Sequence, residues 1–188
     1  MVQLIASSGL LGVGITLLLA ADLGADGFAM LIDGTAQRFD VPFVVANTVV
    51  SVVFVGAAWA RGLAPGLGTV ALPACVGGTV SALDGVVGTP GTTVGQAALF
   101  ALAFVVVCVG VAGYLAADLG AGPAEAASVA WDPPVPFKWS YNAVQCAGAL
   151  IGWWCGATLG VGTLIVVVLI GPCVDRLLAL FRRGLAAG

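Results

Sequence analysis

Histidine is absent from this chain of 188 residues, and charge is nearly so: Asp, Glu, Lys and Arg together make up 8 %. A soluble domain of ordinary composition carries roughly 25 % charged residues. So few charges cannot cover a water-facing surface, which excludes an ordinary globular enzyme and a disordered tail. Six basic residues against nine acidic ones give a net charge of −3 and leave no basic face for nucleic acid. Without histidine there is no imidazole acid–base chemistry and no His-ligated metal. No Gly-Lys-Ser/Thr is present, so the phosphate loop of an ATP-binding protein is missing. Cys75, Cys108, Cys146, Cys155 and Cys173 form no Cys-x-x-Cys pair and read as small hydrophobes. The expectation is therefore a protein that is not an enzyme and uses neither cofactor nor metal.

What is abundant is apolar. Apolar residues make up 61 % of the chain and 28 residues are glycine. Charge-free windows cover 1–21, 41–60, 62–83, 85–117 and 139–174. The last, as one helix, would reach about 54 Å at about 1.5 Å per residue, well beyond a hydrocarbon core of about 30 Å. It must break, and Gly156 to Thr163 is the place. The 85–117 window opens on Gly88-Thr-Pro90-Gly91, a loop, so its helix starts near Gln96. Six spans result: Leu4–Ala21, Val41–Ala60, Thr69–Gly85, Gln96–Ala117, Trp139–Ala157 and Thr163–Phe181. The runs are too continuously apolar for the alternating strands of a barrel. The first has no basic residue before it, unlike a signal peptide, and reads as a mature span. The tryptophans fall near span ends, as an aromatic belt requires.

Arg61, Lys138, Arg182 and Arg183, with Arg176 nearby, fall on the side of both termini, and Arg38 on the other. The bias places both termini in the cytoplasm. The expected location is a bacterial inner membrane, with lipid as the partner and a homodimer as an open alternative.

A repeat organises the chain. Ala20-Ala-Asp22-Leu-Gly24-Ala25 recurs as Ala116-Ala-Asp118-Leu-Gly120-Ala121, at an offset of 96. Val41-Pro42-Phe43 and Val135-Pro136-Phe137, Trp59 and Trp153, and Gly66-Leu-Gly68-Thr69 and Gly160-Val-Gly162-Thr163 match at an offset of 94. The halves are 1–88 and 95–188, with three spans each. An odd number of spans inverts the second copy, the arrangement of many secondary transporters. The expected fold is all-α: six transmembrane helices in two inverted three-helix repeats, each with a short half-helix after its first span.

These motifs give the chain a family resemblance. The Leu-Gly-Ala turns and the Gly-x-Gly-Thr openings, above all Gly160 to Pro172, resemble the YczE/YitT-like bacterial integral membrane proteins over nearly the whole chain. The resemblance implies a six-span inner-membrane protein described as a transporter. It also implies a proline and then an acid soon after each Leu-Gly-Ala. The second half has Pro123 and Glu125, the first Gly27 and Ala29, so a site built on that acid would be one-sided.

Several residues are candidates for binding a substrate or ion. Asp26 is placed to cap a short helix running to about Gln37. In the second half Gly122 would be the cap, with Pro123 at the first helical position and Glu125 in a turn that favours negative charge. Asp22 and Asp118, at span ends, either cap the turn or bind a cation or proton; a carboxylate at a helix centre would cost roughly 2.5–3.5 kcal/mol. Asn47, Tyr141, Asn142 and Gln145 lie within spans and either line a cavity or join helices. Gly66, Gly68, Thr69, Gly160, Gly162 and Thr163 open helices, where free N–H groups attract anions, unless they only form tight turns.

The leading expectation is a small secondary transporter or permease with its site between the halves. The alternative is a membrane subunit of a larger system, either a substrate-binding subunit of an energy-coupling-factor importer or an anchor for a biosynthetic enzyme. An intramembrane protease using Asp22 and Asp118 is disfavoured, since inversion sets them on opposite faces.

Overall fold

A computed structural model describes the backbone of residues 2–117, 120, 122–131 and 134–186, and the side chains of these except at 137, 138, 175 and 181–186. The described residues form eight helices and no strand: α1 Val2–Ala21, α2 Gly27–Phe39, α3 Phe43–Ala60, α4 Leu67–Leu83, α5 Thr93–Ala116, α6 Pro123–Val129, α7 Phe137–Cys155 and α8 Val161–Ala186.

Four of them are long and apolar enough to cross a bilayer: α1, α3, α5 and residues Val161–Leu180 of α8. α4 is apolar but has only 17 residues, about 26 Å of helix. α7 has 19 residues but carries Lys138, Tyr141, Asn142 and Gln145 in its first half, and is not among the four. The outer faces of the long helices are bare. Val52, Val53, Leu164 and Val168 are 63–69 % exposed, a surface that water would not tolerate and lipid would. The chain is an all-helical protein built to sit in a membrane.

Local chemistry sets the helix ends. α5 begins three residues before Gln96, because the Thr92 side chain accepts from the Gly95 N–H (3.1 Å) and caps it there. Gly156, at φ 121°, ends α7 in a conformation that only glycine adopts readily. Asp26 caps α2 and Gly122 precedes Pro123 at the start of α6. At 13 and 7 residues, about 20 Å and about 10 Å, neither α2 nor α6 spans a bilayer.

α1 and α5 cross at the centre, with Leu4, Leu18, Ala103 and Val107 buried around them. α4 packs on α1 and α8 on α5; α2 packs on α7 and α6 on α3; α2 also meets α3, and α6 meets α7. Exchanging α1 with α5, α2 with α6, α3 with α7 and α4 with α8 maps these pairings onto one another. α3 also packs along α4, for which α7 and α8 offer no comparable contact.

The tightest contact is between α2 and α7. A Cβ on Gly148 would lie 2.5 Å from the Gly27 carbonyl oxygen, and one on Gly152 would meet the Met30 carbonyl. Gly148 and Gly152 are four residues apart, so two small residues on one face let the backbones touch. Gly148→Ala forces this contact open, and overpacking of this kind costs about 1–3 kcal/mol. The expected result is a lower midpoint of thermal unfolding in detergent, whereas Gly171→Ala, with open space around it, leaves the midpoint unchanged or higher. Equal midpoints for the two variants would refute the close crossing.

Candidate functional site

The starts of α2 and α6 converge on one cavity of about 250 Å³. At the α2 end, Asp26 Oδ1 accepts from the N–H groups of Phe28 and Ala29 (3.1 Å each). The Phe28 N–H is shared with Gln145 Oε1 of α7 (3.0 Å), and Gln145 Nε2 donates to the Tyr141 oxygen one turn earlier (2.8 Å). At the α6 end, Glu125 Oε1 accepts from the Tyr114 hydroxyl of α5 (3.0 Å). Asn47 of α3, 2 % exposed, donates from Nδ2 to the Pro73 carbonyl of α4 (2.6 Å). All six of these polar side chains line the cavity; the rest of the wall is mainly apolar.

No Lys or Arg is among the lining residues. Burial pushes the Asp26 carboxyl above its ordinary value, against the pull of the Ala29 and Phe28 N–H groups. Burial does the same to Glu125; the Tyr114 hydroxyl opposes the shift and the nearby Asp26 charge adds to it. Two acids in an apolar pocket without a counter-cation hold protons more readily than they would in water.

Of the residues singled out from the sequence, Asp26, Glu125, Asn47, Tyr141 and Gln145 share this cavity. Asn142 is exposed and is not part of it. Asp22 is also exposed, at φ 55° beyond the end of α1, where Oδ1 accepts from the Thr158 hydroxyl (2.5 Å). Asp118 lies outside the described residues.

The two repeated motifs meet each other crosswise. Gly24 of the first turn lies against Gly160 and Thr163 of the second half, and the Gly162 N–H donates to the Leu23 carbonyl (2.8 Å). Gly120 of the second turn lies against Gly66 and Thr69 of the first half. Thr69 Oγ1 also accepts from the Gly66 N–H (3.2 Å), closing the first turn of α4. Gly68, Gly162, Thr69 and Thr163 are buried in these junctions. The Gly162 N–H thus serves a protein carbonyl.

Tyr114 was not singled out from the sequence. Its signal lies in the repeat: at the offset of 96, Tyr114 stands where the first half has Leu18, and Glu125 where it has Ala29. The hydrogen-bonded pair of one half is an apolar pair in the other.

Asp33, half-buried on α2, accepts from Gln37 Nε2 (2.8 Å). Burial, with smaller contributions from the charges of Asp84 and Asp22, pushes its carboxyl up to about 6. The folded protein therefore holds this proton more tightly than the unfolded chain, whose Asp titrates near about 3.9. The stabilisation is full below about pH 4 and is lost as pH rises through about 6. Asp33→Asn is expected to raise the thermal midpoint relative to wild type at about pH 8, with the difference vanishing near about pH 4. A difference that does not grow with pH would refute this account of Asp33.

No curated protein and no solved structure matches the chain. A family model described as a family of unknown function, DUF6198, matches residues 1–178. Most of the chain lies within that match, and the chain belongs to this family of unknown function.

Proposed function

We propose that the chain is a small secondary transporter or permease, and that the cavity between the α2 and α6 starts is its substrate site. The observation that carries this reading is the pairing of two non-spanning helices, one from each half, whose starts bring two half-buried carboxyls to one cavity. In transporters, half-helices ending near the bilayer midplane build the binding site between repeats.

The crosswise seating of turn on helix start supports two inverted halves with six crossings, α4 and α7 included. α4 and α7, at 17 and 19 residues, fall only slightly short of a hydrocarbon core of about 30 Å. In this arrangement α2 and α6 are re-entrant and covered by protein, as a backbone that stops within a membrane must be. Arg61 stacks over the Trp131 ring at 4.4 Å, and its Nε donates to the Ala130 carbonyl (3.3 Å). That contact puts the α3–α4 and α6–α7 connections on one face, in keeping with a basic cytoplasmic side that also holds both termini in a bacterial inner membrane. Kinship with the YczE/YitT-like proteins belongs to the same proposal.

Alternating access can be tested without knowing the substrate. Val111 lines the cavity, and Val111→Cys in a background without the five native cysteines offers one thiol there. The expected result is labelling by a membrane-impermeant maleimide from either face of the vesicle. A thiol reached from one face only, under all conditions, would overturn transport and favour a membrane subunit of a larger assembly.

A further inference from the structure

The cavity wall carries hydrogen-bond acceptors that attract positive charge. Asp26 and Glu125 supply two carboxyls. Asn47 supplies a third acceptor of a different kind. Its Nδ2 is held by the Pro73 carbonyl, which fixes the orientation of the amide, and no described residue donates to its Oδ1. Asn47 is only 2 % exposed and lines the cavity, where its Oδ1 can accept from a bound donor.

We propose that this cavity binds a small primary ammonium ion with an apolar body, with Asp26 and Glu125 as counter-charges and Asn47 as an N–H acceptor. The inference rests on reading the cavity as the substrate site and names the substrate class. An ammonium carries three donors and no acceptor, which is what a wall of acceptors requires. The apolar body is dictated by the remaining wall, which includes Leu11, Ile15, Val76, Val107, Val111 and Ile170. An inorganic divalent cation needs about six oxygen ligands, and this wall is too apolar to give them. An anion would meet two acids and no lining Lys or Arg. A cavity of about 150 Å³ holds benzene, so about 250 Å³ accommodates about ten non-hydrogen atoms.

Binding on these terms exchanges protons for the ligand. Without a ligand, burial raises both carboxyls, and the Asp26 charge adds to the shift at Glu125. The other titratable groups on the wall are Tyr114 and Tyr141, which carry no charge near neutral pH. An incoming ammonium favours the ionised carboxyls, so in this proposal its binding releases protons to solvent and its affinity rises with pH.

The test is calorimetric titration of the full chain in detergent with phenethylamine and butylamine, using phenethyl alcohol and phenylacetate as neutral and anionic counterparts. Measurements at about pH 6 and about pH 8, in two buffers of different protonation enthalpy, count released protons. The expected result is amine binding that tightens with pH and releases protons, with both counterparts about tenfold weaker or more. Glu125→Gln and Asp26→Asn each weaken amine binding by about tenfold or more; Asn remains a good helix cap, so Asp26→Asn keeps α2 intact. Binding of neither amine, a counterpart that matches the amine, or unchanged affinity in the double variant overturns the proposal. If the thiol at position 111 is labelled from both faces while amines fail to bind, the substrate class falls and the transporter reading stands. If amines bind as expected while that thiol is reached from one face only, the ammonium site stands and transport falls.

Discussion

The structure depends on how an apolar chain satisfies its backbone where helices stop. A helix that ends away from water leaves carbonyl and N–H groups with no partner, and hydrocarbon supplies none. After α1 the chain turns through Leu23 and Gly24, and the carbonyl of Leu23 takes the Gly162 N–H from the start of α8. A carbonyl left by one helix meets an N–H left by another. Gly120 lies against Gly66 and Thr69 at the start of α4, so each turn is covered by the opposite half. The two copies are thereby bound into a single folding unit, and a cavity forms where the short helices start.

The helices were legible in the sequence because they are written in linear order. Uncharged runs of bilayer length mark α1, α3 and α5, and Asp26 and Pro123 mark the starts of the short helices. Contacts between helices were less legible. Tyr141 and Asn142 are neighbours in sequence and equal as polar residues in a span, yet about 100° of helical rotation separates them. Tyr141 faces the cavity and Asn142 the outside. Choosing between them needs the position of α2, which packs on α7 through Gly27 and Gly148. Tyr114 reads as one more aromatic in an apolar span until α6 is placed beside it. Asp22 and Asp26 show the same limit: four residues apart, one caps a helix at the cavity and the other meets Thr158 on the exposed side.

The repeat says most where it fails. The matched positions Gly24, Gly68, Thr69, Gly162 and Thr163 are buried at the turn junctions. The positions that differ, Leu18 with Tyr114 and Ala29 with Glu125, put a hydroxyl and a carboxyl into the second half only. The first half answers with Asp26 at the cap of α2, where the second has Gly122. Both acids sit near helix starts, where partial positive charge from free N–H groups favours a carboxylate. Backbone N–H groups, with no lining Lys or Arg, thus oppose the upward shift that burial imposes on both acids.

Support from dipoles and from protons has a consequence for the proposed transporter. A lysine or arginine opposite two acids would occupy the site permanently with a fixed cation. Protons do not: they leave when a ligand brings its own charge and return when it departs. In the proposed exchange, a proton that leaves as the ammonium enters lowers the net charge that must cross a low-dielectric interior. Asp26 accepts from backbone N–H groups while Glu125 accepts from a tyrosine hydroxyl, so the two carboxyls are held by partners of different kinds. The proposed exchange would then draw on each acid to a different degree, with the half that carries Tyr114 and Glu125 setting one step and Asp26 the other.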